Sequence, residues 1–68
     1  MKIRFIKNID VDIDKVKLEE VWPKYINRHD IYDVDQIETI SPTIVNVILN
    51  SKDVLLEVPT NSFEITSK

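Results

Sequence analysis

The stretch from Thr43 to Lys68 constrains this chain more than any other. Ile44 to Leu49 and Val54 to Val58 are almost continuously β-branched or leucine. Between them, Asn50-Ser51-Lys52-Asp53 has the composition of a turn. A hairpin that is apolar on both faces needs cover from further strands, which points to a small barrel rather than an open sheet.

The rest of the chain supplies candidates for that cover. Lys2 to Lys7 reads as a strand, with Ile3 and Phe5 on one side. Past a break near Asn8, Ile9, Val11 and Ile13 alternate with Asp10, Asp12 and Asp14, a period-two pattern. Asp30 to Ile40 resumes strand character through Ile31, Tyr32, Val34, Ile37 and Ile40, and Ser41-Pro42 is a turn signal. Phe63 to Thr66 reads as a short closing strand. Residues 15–27 behave differently. Leu18, Val21, Trp22, Tyr25 and Ile26 recur at helical spacing, yet Pro23 interrupts them. The expectation is an all-β domain of five or six strands, with residues 15–27 forming either two short turns, one ending near Val21 and one starting at Pro23, or one short helix.

Sixty-eight residues make a single domain, 1–68, with a small core. There is no cysteine to staple it. Stability then rests on packing or on an oligomer interface, which makes a homodimer a hypothesis to test. No apolar run reaches the ~18 residues that span a bilayer, and the N-terminus lacks a signal-peptide core. The expected setting is cytoplasmic, with no membrane partner. Glycine is absent, which excludes Gly-rich phosphate loops and the usual nucleophile elbow. Any positive-φ position must fall to another residue, and Asn8, Asn27, Asn50 and Asn61 are the candidates.

Net charge is −3, unevenly spread. Lys2, Arg4 and Lys7 make the first eight residues basic, whereas residues 9–38 carry nine acids against four bases. An acidic middle repels phosphate backbones, so nucleic-acid binding is disfavoured except through that basic strand.

Chemistry-bearing patterns are weak. Asp10-x-Asp12-x-Asp14 imitates the start of a calcium loop, but Lys15 stands where glycine is required and Val21 where a bidentate glutamate is. On a strand, these carboxylates suit spaced surface charges. His29 beside Asp30, Asp33, Asp35 and Glu38 is the only histidine, which makes a poor transition-metal site. No serine has a nucleophile context. No cofactor, metal or catalytic activity is expected.

Met1-Lys2-Ile3-Arg4-Phe5-Ile6-Lys7-Asn8, then His29-Asp30-Ile31-Tyr32-Asp33-Val34, then Val54-Leu55-Leu56-Glu57-Val58-Pro59 leading into Phe63-Glu64-Ile65 resemble a known type. It is that of the small SH3-like barrel proteins of bacteriophages and prophages of low-GC bacteria. The resemblance covers about half of the chain and implies an SH3-like barrel. The Val58 to Phe63 stretch also looks like the Pro-Ser-Asn-Tyr turn of eukaryotic SH3 domains, which implies a ligand role for Pro59 and Phe63. The Ala-Leu-Tyr-Asp-Tyr segment of those domains is missing, and Trp22 lies in the wrong part of the chain for their groove, so polyproline binding has little support.

The expected function is a non-enzymatic protein-interaction module, phage- or mobile-element-encoded, with an unidentified protein partner. Trp22, Tyr25 and Arg28, with the acids Asp33 and Asp35, are the candidate contact residues, joined by Pro59 and Phe63. Trp22 has two readings, a plug at one end of the barrel or a surface anchor. The alternative function is a nucleic-acid-associated factor using Lys2, Arg4 and Lys7.

Overall fold

The computed structural model covers Met1–Lys68, and every element in it is extended or a short turn. Seven strands run in chain order: β1 (Lys2–Phe5), β2 (Ile9–Lys15), β3 (Glu20–Ile26), β4 (Ile31–Ser41), β5 (Ile44–Leu49), β6 (Val54–Pro59) and β7 (Phe63–Ser67). They form one antiparallel sheet in the order β3-β2-β6-β5-β4-β1-β7.

This order forces curvature. β1 and β2 are consecutive in the chain, yet three other strands lie between them in the sheet. Laid flat, that separation would be about 19 Å at the usual strand spacing. The chain from Phe5 to Ile9 spans about 14 Å at most. The sheet therefore curls until β2 swings back toward β1. The long strand β4 serves both halves, pairing with β1 through Ile31–Asp33 and with β5 from Val34 onward. A bulge at Asp35 marks the change.

The turn between β3 and β4 locks the curl. The His29 N–H donates to the Phe5 carbonyl at 2.7 Å, and the Phe5 N–H donates to the Asp30 carbonyl at 2.9 Å. The Arg28 N–H donates to Asn8 Oδ1 at 2.6 Å. Inside the curl lie Ile3, Phe5, Ile26, Val34, Val47, Leu55 and Val58, all essentially without solvent contact. Phe5 meets Tyr32 edge-on at 5.7 Å and Phe63 at 5.8 Å. Ser62, fully buried, donates to the Pro59 carbonyl at 2.6 Å, closing a 3-10 turn over Thr60–Ser62.

Three expectations need correction. There are seven strands, not five or six, and no ladder joins the edge strands β3 and β7, so the sheet is not closed into a barrel. There is no α-helix: residues 15–27 hold a 3-10 turn over Val16–Leu18 and then β3, which pairs with β2 along seven residues. Pro23 sits on an edge strand, where its missing N–H faces away from the ladder and costs nothing. The helical spacing of the apolar residues arises because β3 is apolar on both sides. Positive φ falls on Glu19, His29, Lys52 and Glu57, not on the four asparagines. Those four positions follow from where the 3-10 turn, the two loops and the β6 bulge need a left-handed residue. The turn at 50–53 is as expected, with the Lys52 N–H donating to the Leu49 carbonyl at 2.8 Å.

Candidate functional site

The β2–β3 hairpin carries the most exposed apolar surface. Leu18 is 61% exposed, Val21 56%, Tyr25 54% and Trp22 51%. Trp22 is thus a surface residue rather than a plug, its indole N–H donating to Glu20 at 2.6 Å. Register settles which way each side chain points. Ile9 faces Ile26, Val11 faces Lys24 and Ile13 faces Trp22 on the inner side of the hairpin. Asp10 faces Tyr25, Asp12 faces Pro23 and Asp14 faces Val21 on the outer side. Trp22 and Tyr25 therefore belong to different surfaces.

The other expected contact residues are scattered. Arg28 is exposed in the β3–β4 turn. Asp33 lies 3.7 Å from Lys2 and Asp35 lies 2.9 Å from Lys52, so both acids are already ion-paired. Pro59 pairs with Ile44 at the end of β6, and Phe63 packs its ring on Phe5 as part of the core's margin. Pro59 and Phe63 bracket the 3-10 turn, one at each end, and neither lies on the β2–β3 hairpin. The basic strand is also largely neutralised, since Arg4 pairs with Glu64 as Lys2 does with Asp33.

A surface absent from the expected set lies on the outer side of β2, β6 and β5. Asp14 registers with Val54, Val54 with Ile48 and Ile48 with Gln36, making one row across four strands. Asp12 registers with Leu56, which itself is only half-buried. The signal was in the sequence: Ile44–Leu49 and Val54–Pro59 are apolar at every parity, and only one of their faces meets the core. A notch of about 230 Å³ opens there, lined in part by Asp10, Asp12, Pro23, Leu56 and Glu57. It is smaller than the roughly 300–1,000 Å³ of small-molecule pockets.

No cluster of three or more His, Asp or Glu side chains is placed to hold a metal ion. One titrating group is displaced. Burial, and then the negative charge of Asp30, push the Tyr32 phenol above its ordinary value. No helix is long and apolar enough to cross a membrane.

Fold and surface together define a small all-β domain whose distinguishing feature is a hairpin that exposes both apolar and acidic side chains. No family model, curated protein or solved structure matches the chain.

Proposed function

We propose that this chain is a non-enzymatic protein-interaction module on an SH3-like scaffold, encoded by a bacteriophage or mobile element, and that the β2–β3 hairpin is its contact element. The exposure of Leu18, Val21, Trp22 and Tyr25 on a single hairpin carries this reading. Large apolar side chains gathered on one exposed element mark interaction sites, and Trp and Tyr are frequent anchors. The scaffold reading draws support from the long shared strand β4, the three-residue link between β1 and β2, and the 3-10 turn before β7. The open gap between β3 and β7 departs from it.

The alternative use of Lys2, Arg4 and Lys7 on nucleic acid has less support, because two of the three are ion-paired. Affinity capture from the native host's lysate, with wild type beside Trp22→Ala, tests the module. A captured protein lost on Trp22→Ala or on Tyr25→Ala, with the variant still folded, supports it. Capture that survives both Trp22→Ala and Tyr25→Ala overturns it.

A further inference from the structure

An antiparallel sheet that faces water on one side is normally polar on that side. Here the outer side of β5 and β6 carries Ile48, Val54 and Leu56, each partly exposed, and the row of Asp10, Asp12 and Asp14 on β2 separates them from exposed Val21 and Tyr25 on β3. The four strands lie side by side in one sheet, so this mixed face stays partly open along β3-β2-β6-β5. Exposed Val21 and Tyr25, with the partly exposed Val54 and Leu56, offer a partner apolar contact on either side of the aspartates.

The charges on this face restrict what that partner is. Asp10, Asp12, Asp14 and Glu57 flank these side chains, and none of the four takes part in an ion pair. Neither nearby lysine offsets them: Lys24 registers with Val11 on the inner side, and Lys15 is held 3.6 Å from Asp53. A second copy docked face to face would set these carboxylates against their own kind, which is destabilising. A nucleic acid is repelled for the same reason. A basic polypeptide is attracted, and the spacing suits an extended one. Alternate residues on β2 place Asp10, Asp12 and Asp14 about 7 Å apart, the same repeat at which an extended peptide presents every second side chain.

Resting on the module reading above, we infer that the outer face of β3-β2-β6-β5 docks an extended basic segment of another protein. Its Lys or Arg residues, at alternate positions, meet Asp10, Asp12 and Asp14. Its apolar side chains settle on Leu56 and Val54. Trp22, on the other side of β3, does not take part.

The test is to pan a random 12-residue peptide library against the full chain, then measure the enriched peptides on three variants. Asp10→Lys/Asp12→Lys and Leu56→Lys alter the outer face, and Trp22→Ala alters the inner one. Circular dichroism and thermal unfolding establish that each variant is folded. Because Asp10 and Asp12 are exposed and unpaired, the double variant keeps the fold even if Leu56→Lys does not. The expected peptides carry Lys or Arg at alternate positions. They weaken at least tenfold on the double variant, while Trp22→Ala binds as wild type does. No basic enrichment, or equal binding to the double variant, overturns the inference. Loss on Trp22→Ala with no loss on the double variant overturns it too, yet leaves the hairpin module standing. A wild-type chain that sediments as a dimer, and as a monomer after Leu56→Lys, assigns the face to a second copy and also overturns it.

Discussion

Trp22 and Tyr25, three residues apart on β3, point to opposite sides of the sheet: Trp22 registers with Ile13 beside the core, Tyr25 with Asp10 on the outer face. They are therefore energetically separate. Each is about half exposed, so each truncation to alanine removes roughly 1 kcal/mol of burial. The double variant should be destabilised by the sum, within about 0.5 kcal/mol. Urea unfolding of the four proteins measures this. A coupling well above that margin would mean the two rings share neighbours, against the register.

Glu57 holds φ at 51° in the β6 bulge, and its N–H donates to Asn46 Oδ1 at 3.0 Å. A left-handed conformation costs a residue with a Cβ roughly 1–2 kcal/mol, and glycine almost none. Glycine loses part of that advantage to its greater unfolded-state freedom. Glu57→Gly should therefore stabilise the domain by about 0.5–1 kcal/mol in chemical denaturation. Asn46→Ala should destabilise it by about 1 kcal/mol, because the bulge N–H loses its acceptor. A neutral or destabilising Glu57→Gly would show that this backbone position is not strained.

These same residues show why the chain was legible in some places and not in others. The alternation Ile9 to Asp14 and the β-branched runs 44–49 and 54–58 announce strands because burial imposes period two. β3 was hidden because an edge strand apolar on both sides mimics helical spacing, although Pro23 already argued against a helix. The left-handed positions were hidden because turn geometry assigns them, and a chain without glycine has to accept Glu, His and Lys there. The dispersal of the expected contact residues was hidden as well. The bulge at Asp35 breaks the alternation that would have put Asp33 and Asp35 together, and each pairs with its own lysine.

Phe5 is fully buried between Tyr32 and Phe63, at the point where β1, β4 and β7 meet. Phe→Ala at such a site costs about 3–5 kcal/mol. A domain of this length has on the order of 3–10 kcal/mol in total. Phe5→Ala should thus leave a largely unfolded chain at 37 °C, with collapsed amide dispersion in a ¹⁵N correlation spectrum. Ile65→Ala, nearby on β7 but 46% exposed, should cost under about 1 kcal/mol. Comparable losses at the two positions would argue that the core is not centred on Phe5.

Tyr32 makes stability depend on pH at the alkaline end. Burial and the Asp30 charge both disfavour its phenolate, so its folded value lies above the ordinary value of 10.0. The unfolded chain then releases this proton first. The contribution is complete below the unfolded value and is lost as pH rises through the folded one, so the window opens at about pH 10 and extends upward. Wild type should lose stability across that window more steeply than Tyr32→Phe, which has no proton to release. Its hydroxyl holds no hydrogen bond to the protein, so the two should differ little at neutral pH. Unfolding midpoints measured from pH 8 to 11 decide it. Parallel curves for the two proteins would mean that the phenol titrates alike in the folded and unfolded chain.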